Sequence, residues 1–385
     1  MSDTHTVRAF LDPGHHEWGA GVAAFAARTL APRPEPADDD AARVEARQLL
    51  RLMGEEGIFA PIGSRDLRAA CLAREVIAAA SPLADGVWAL QGLGITPLMM
   101  AAEDELRERW APAALRGELM SAFAMTEPGA GSDVASMTTR AVVAGDSYVI
   151  DGHKWLISNA GIADYYIVFA STDPDAGSRG ISAFVVPADT EGLTFSGAQV
   201  MSSPHPLGEI TLARCRVPAS NRIGAEGDGF KVGMATLDQL RPTVGAAACG
   251  MAERALREAV DHSISREQFG KPLSDFQMIQ DKLGRMAIDL TAARMLVYRA
   301  AYEKDLGAER ITTEAAMAKA FATEAAQRII DDAVQILGGI GVLKDHPVDR
   351  LYRSIRPLRI YEGTTQIQHL IIAGRMVAEA KANRS

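Results

Sequence analysis

The segment FQMIQDKLGRMAIDLTAARMLV, Phe276 to Val297, sets the architecture, because Phe276, Ile279, Leu283, Met286, Leu290, Ala293 and Val297 recur at steps of three and four residues. That spacing draws one apolar stripe along a long helix. Downstream, Thr312 and Thr313 ahead of Glu314 are placed to cap a further helix reaching Ile336, which Gly338 and Gly339 stop. Long stripes with short connections describe an antiparallel helical bundle over residues 226–385. Upstream, residues 121–225 carry β-branched and aromatic residues with turn signals every eight to twelve positions, the texture of a sheet or flattened barrel. Tyr148-Val149-Ile150 and Trp155-Leu156-Ile157 flank Asp151-Gly152-His153, which reads as a hairpin, and further strands fall at 165–170, 181–186, 193–196 and 209–214. Residues 1–120 read as helices at 18–30, 41–53, 67–79, 87–100 and 103–111, with a proline-spaced, exposed connector over 32–40. The fold class is α+β, mainly α.

The chain has 385 residues, 48% of them hydrophobic and 23% charged, enough for a large core and for two or three domains. No stretch has the length and apolarity of a membrane span, and the N-terminus lacks a signal-peptide core, so a cytoplasmic protein is expected. A net charge of -9 speaks against a nucleic-acid partner. Cys71, Cys215 and Cys249 are far apart and embedded in apolar sequence, which suggests buried thiols and neither a disulfide framework nor a metal site.

Two stretches carry chemistry. In Arg359-Ile360-Tyr361-Glu362-Gly363-Thr364-Thr365-Gln366, a carboxylate followed by a glycine and two hydroxyls suits a loop in which the backbone approaches a ligand, making Glu362 the first candidate for a base. The same octet also reads as a plain connection with Thr364 or Thr365 as N-cap. The second stretch, Phe123-Ala124-Met125-Thr126-Glu127-Pro128-Gly129-Ala130-Gly131-Ser132-Asp133, can offer backbone N–H groups to an anion without a Walker lysine or a Rossmann fingerprint, or can be a tight turn at a strand edge.

Taken together, the order helical, β, helical and the motifs it carries resemble the acyl-CoA dehydrogenase family over nearly the whole chain. Those motifs are the Met125–Asp133 loop, Lys154-Trp155-Leu156-Ile157-Ser158-Asn159, Arg266-Glu267-Gln268-Phe269-Gly270 with Phe276-Gln277, Gln335-Ile336-Leu337-Gly338-Gly339, and Tyr361-Glu362-Gly363-Thr364. The resemblance implies a C-terminal antiparallel four-helix bundle, FAD as cofactor, an acyl-CoA substrate, an electron-transferring flavoprotein as acceptor, and a homotetramer or dimer. Glu362 would abstract the α-proton while the β-hydride passes to flavin N5. Phe123, Met125, Thr126, Gly131, Ser132, Leu156 and Ser158 would lie against the flavin. Arg266, Gln277, Gln335, Ile336, Leu337, Gly338 and Gly339 would reach a neighbouring subunit's FAD, with Thr364 and Gln366 returning to the first. Ser132, Asp238, Arg241, Tyr361 and Gly363 would contact the substrate, with Asp238 and Arg241 at the CoA end.

Three features depart from the family. Leu156 stands at the usual tryptophan position with Trp155 one place earlier; Gly57-Ile58-Phe59-Ala60-Pro61-Ile62-Gly63 runs into Ser64-Arg65-Asp66 without the usual acidic loop; and Gly374 suggests an irregularity in the last helix. The base position of a second branch of the family is Leu240, which leaves Glu362 as the candidate. Competing readings are an oxidase, an enzyme acting on a carrier-bound acyl group, and a non-catalytic flavin-binding scaffold.

Overall fold

The computed structural model describes residues 4–384. Helices α1 (Pro13–Phe25), α2 (Asp39–Glu55), α3 (Ala60–Ser64), α4 (Leu67–Ala80), α5 (Pro82–Ala101) and α6 (Asp104–Leu115) come first. Strands β1 (Ser121–Ala124), β2 (Arg140–Ala144), β3 (Ser147–Ser158), β4 (Tyr165–Ser171), β5 (Ile181–Pro187), β6 (Leu193–Ala198), β7 (Leu207–Pro218) and β8 (Arg222–Ile223) follow. After α7 (Gly229–Ser265) and a two-strand turn, β9 (Glu267–Gln268) and β10 (Lys271–Pro272), the chain closes with α8 (Gln277–Asp305), α9 (Thr312–Leu337), α10 (Pro347–Ile355) and α11 (Thr365–Ala382). This is the expected α+β class with a helical majority. Among the described residues no helix is long and apolar enough to cross a membrane. Cys71, Cys215 and Cys249 are free and buried.

The chain divides into two compact units, one of residues 1–33, 66–85 and 238–385, the other of residues 34–65 and 86–237. In the first, α8 and α9 pack along each other, α10 and α11 pack on α9, and α4 packs on α8 and α1. Of the α8 stripe, Met286, Leu290, Ala293 and Val297 are buried, whereas Phe276, Ile279 and Leu283 are only half-covered. The approach of α7 to α4 is set by Gly250, where a Cβ would stand 1.8 Å from the Glu75 carbonyl oxygen. Beside it lies a buried network in which Arg294 joins Glu75 and Glu253 and the Tyr298 hydroxyl donates to Glu75 at 2.7 Å.

In the second unit the eight-stranded sheet runs β6-β7-β3-β2-β4-β5-β8, with β1 added parallel to β4. Its inner face is closed by Ile150, Ile157, Val168, Phe184, Ile210 and Val217. The expected hairpin at Asp151-Gly152-His153 is absent, since β3 runs straight through it. Gly152 serves close approach instead of a turn: a Cβ there would lie 2.3 Å from Thr139 Oγ1. A register shift on the β7 side leaves the Arg214 N–H to the Asp151 carboxylate at 2.8 Å. The real reversal is at Gly145, φ +72°, between β2 and β3.

Three other expectations change. The 32–40 connector is not exposed throughout, because Asp39 is buried against Arg43, while Asp38 caps α2 by accepting from the Ala41 N–H. Thr312 does not cap α9 through its side chain; its hydroxyl donates to Asp238. Gly374 sits inside an unbroken α11.

Gly250→Ala is expected to lower the denaturant midpoint without changing the slope, by the ~1–3 kcal/mol or more typical of overpacking, since backbone stands where the methyl would go. Equilibrium unfolding in urea measures it, and an unchanged midpoint would contradict the close packing of α7 on α4.

Candidate functional site

Glu362 lies in the turn between α10 and α11, and both it and Gly363 are left-handed, φ +55° and +92°. For glutamate that conformation is strained and must be held from outside. Three side chains hold it. Arg241 Nε on α7 donates to the Glu362 carbonyl at 3.0 Å. Gln368 Nε2 on α11 donates to the same carbonyl at 3.2 Å and to that of Gly363 at 2.9 Å. Lys319 Nζ, from a residue wholly buried on α9, donates to the Gly363 carbonyl at 2.8 Å. Glycine is favoured at 363 by its φ of +92°, and a Cβ there would also meet Gln368 Nε2 at 2.7 Å. The turn is then tied down by Glu324, which accepts from Arg359 Nε at 2.8 Å and from the Thr365 hydroxyl at 2.7 Å. Thr364 caps α11, accepting from the Ile367 N–H at 3.3 Å.

None of these bonds goes to the Glu362 carboxyl. Its Oε2 is buried and without a hydrogen-bond partner. Burial pushes this carboxyl above the ordinary 4.5; Arg74, Arg241 and Lys319 oppose the shift, and Asp85 adds to it. Arg74 is locked by two 2.8 Å bonds to Asp85 and one of 3.0 Å to Thr243. Burial also brings the Lys319 ammonium down to about 8. Asp238 has both oxygens engaged, by Arg241 Nη1 and by Thr312, each at 2.6 Å.

In the second unit, the loop after β1 is anchored by a buried ion pair, Lys154 Nζ to Glu127 Oε1 at 2.9 Å. Glu127 also accepts from the backbone N–H and the hydroxyl of both Thr138 and Thr139. The charge of Lys154 and these donors outweigh desolvation and hold its carboxyl at about 2. It stays ionised and structural. The Trp155 N–H donates to the Thr126 carbonyl at 2.9 Å. Phe123 is half-covered and its ring meets Phe169 at 4.8 Å, Met125 is buried, and Gly131 and Ser132 are exposed at the loop tip. A simple alternation of faces does not apply to Trp155 and Leu156, because β3 slips register between Lys154 and Ile157 and Leu156 is left-handed, φ +56°. Leu156 is exposed, and its N–H donates to Gln199 Oε1 at 3.0 Å. Ser158 ends β3 with its hydroxyl 2.7 Å from His205 Nε2.

The remaining candidates lie on the surface of the first unit. Arg266, Gln277, Gln335, Gly338, Gly339 and Gln366 are exposed, Ile336 and Leu337 are buried at the end of α9, and Tyr361 is 36% exposed. Lys319, Gln368 and His205 belong to none of the sequence motifs, and Lys154 heads one of them without an assigned role. The signal for Lys319 is a lone cation inside Ala315-Ala316-Met317-Ala318-Lys319-Ala320-Phe321-Ala322. The cluster His15, Asp66 and Asp305, which has metal-like spacing, is already at work: Asp66 caps α4 through the Ala69 N–H, and Asp305 accepts from the Leu67 and Arg68 N–H groups and from Arg68 Nε.

Three family models match the chain: acyl-CoA dehydrogenase N-terminal domain over residues 12–118, middle domain over 122–215 and C-terminal domain over 227–377. "Probable acyl-CoA dehydrogenase fadE25" of Mycobacterium leprae is 38% identical over 370 residues, 94% of this chain and 95% of that protein. "Caffeyl-CoA reductase-Etf complex subunit CarC" of Acetobacterium woodii is 40% identical over 288 residues, 73% of this chain and 74% of its own. A glutaryl-CoA dehydrogenase from Mycobacterium smegmatis, solved in complex with FADH2, superposes with a TM-score of 0.87 at 26% identity, covering 96% of each chain.

A carboxyl raised above its ordinary value favours its neutral form in the folded state. The stability it contributes is complete below about pH 4.5 and is lost as pH rises through the raised value. Glu362→Gln removes that titration, so its melting temperature should match the parent in acid and exceed it as pH rises above about 4.5. Calorimetry on the substrate-free protein measures the difference. A gap that stayed flat with pH would contradict the burial of this carboxyl.

Proposed function

The chain belongs to the acyl-CoA dehydrogenase family, and from that premise we propose that it desaturates an acyl-CoA thioester between its α and β carbons, with FAD as cofactor and Glu362 as the base. The observation that carries this reading is the buried, unpartnered Oε2 of Glu362 on a backbone fixed by Arg241, Gln368 and Lys319. FAD, when bound, supplies the hydride acceptor; the solved relative with FADH2 supports its assignment. A thioester α-carbon is weakly acidic, so the carboxylate must be held above it, and the N–H of Glu362 would donate to the thioester oxygen as charge develops there.

The chain's surface suits the cofactor. Gly129, Gly131, Gly338 and Gly339 have no atom within 4 Å in the direction of the missing side chain, leaving open backbone for a flat ring or a pyrophosphate. We assign Phe123, Met125, Thr126, Gly131, Leu156 and Ser158 to the isoalloxazine, with Ser158 at N5, and Ser132 to the junction of pyrophosphate and acyl-CoA. Arg266, Gln277 and Gln335 to Gly339 go to a neighbouring subunit's FAD, and Thr364 and Gln366 to the cofactor of their own chain. Tyr361 and Gly363 border the acyl group, and Asp238 with Arg241 serve the CoA end. Because Arg241 binds both Asp238 and the Glu362 carbonyl, CoA binding there would bear on the base's backbone. The domains are 1–120, 121–225 and 226–385, a division supported by the spans of the family models. An electron-transferring flavoprotein is the proposed acceptor, supported by the Acetobacterium relative's place in an Etf complex.

The purified protein should carry about one FAD per chain, and a panel of CoA thioesters should bleach it without oxygen. Glu362→Gln should slow that bleaching ~10²- to 10⁴-fold with little change in binding. Bleaching at the parent rate would remove Glu362 from its role.

The surface of α8 and its neighbours supports a dimer or a tetramer, because Phe269, Met278, Ile288 and Val342 are exposed, Phe269 at 96%. Light scattering should find at least a dimer. A fully flavinated monomer would refute the assignment of Arg266 and Gln335 to a partner's cofactor.

A further inference from the structure

His205 is absent from the machinery assigned so far, yet its Nε2 is 2.7 Å from the Ser158 hydroxyl. The contact is built into the fold from both sides. Ser158 pairs with Leu207 across β3 and β7, the Asn159 N–H donates to the Pro206 carbonyl at 2.8 Å, and Asn159 Nδ2 donates to the Ser121 carbonyl at 2.9 Å. The imidazole lies over Gly86 of α5, where a Cβ would stand 3.1 Å from Cε1 and 3.2 Å from Nδ1, so a side chain at 86 would crowd the ring. We propose that His205 is a positioning residue that fixes the direction of the Ser158 hydroxyl toward flavin N5. The proposal rests on the assignment of Ser158 to N5.

The chemistry follows from which groups donate. Burial holds the imidazole down at about 4, with Asp39 and Arg43 of α2 the charged groups that face it. Those two act in opposite senses and are paired with each other, since Arg43 Nε donates to Asp39 at 2.7 Å while its other nitrogens donate to the Ala160 and Leu207 carbonyls. His205 is therefore neutral at working pH. With the hydrogen on Nε2 it donates to Ser158 Oγ, and the hydroxyl hydrogen is left to point at N5, which accepts a hydrogen bond when the flavin is oxidised and carries a hydrogen of its own when reduced. A hydroxyl held as donor favours the oxidised flavin, so releasing it should raise the flavin's midpoint potential.

The test is the midpoint potential of the holoenzyme in a double-mutant cycle, with flavin content per chain as the folding control. Ser158→Ala and His205→Leu should each shift the potential positive, and His205→Leu should add nothing in the Ser158→Ala background. His205→Gln, whose amide nitrogen can reach the Nε2 position, should restore the parent potential; His205→Asn, which is shorter, should behave like His205→Leu and stands in for it if the leucine variant loses flavin. An unshifted Ser158→Ala would overturn the N5 assignment and the proposal with it. A shift in Ser158→Ala with none in either shortened variant at 205, or effects that add, would overturn the role of His205 alone.

Discussion

Everything in the site depends on one constraint, a glutamate held in a left-handed conformation with one carboxyl oxygen buried and unpartnered. Neither feature is stable by itself. The backbone strain has a cost of the order of 1–3 kcal/mol, and the unmet hydrogen bond a similar one. Both persist because donors on three helices, α7, α9 and α11, converge on two consecutive carbonyls. The bundle serves as the frame that brings those donors together. Its long apolar stripes fix where Arg241, Lys319 and Gln368 stand.

Buried charge recurs through the first unit, as Arg74 with Asp85 and as Arg294 with Glu75 and Glu253. Such pairs rarely add net stability, since desolvation offsets most of the attraction. Near Glu362 the two members of the Arg74 and Asp85 pair act on the carboxyl in opposite senses, and the downward pull of Arg74 is the larger. Arg241, itself paired with Asp238, and Lys319 likewise oppose the upward shift that burial imposes on the carboxyl.

How much of this was legible in the sequence follows from what each residue type announces. The turn at Glu362 was legible because glycine and hydroxyls after a carboxylate mark a loop and a cap, and Thr364 is that cap. The helices and most strands were legible from their periods. Gly152 misled because a glycine needed for close approach of Thr139 looks the same in sequence as one needed for a turn, and a bulge at Trp155-Leu156 leaves no trace in an alternation pattern. Lys319, Lys154 and His205 were silent for another reason. Their partners lie 44, 27 and 47 positions away, so their meaning comes from tertiary contact alone.

The two central glutamates show why placement decides chemistry. Glu127 and Glu362 are both drawn from water, and both lie within reach of a lysine. Around Glu127 the lysine, two hydroxyls and two backbone N–H groups all point at the carboxylate, which is held at about 2 and is too weak a base to take a proton from carbon. Around Glu362 the cations and the amide give their hydrogen bonds to the main chain and leave the carboxyl with none. The Glu362 backbone is thus fixed without its charge being neutralised: the groups that hold the main chain act on the carboxyl from a distance, and its buried Oε2 is left with no hydrogen bond.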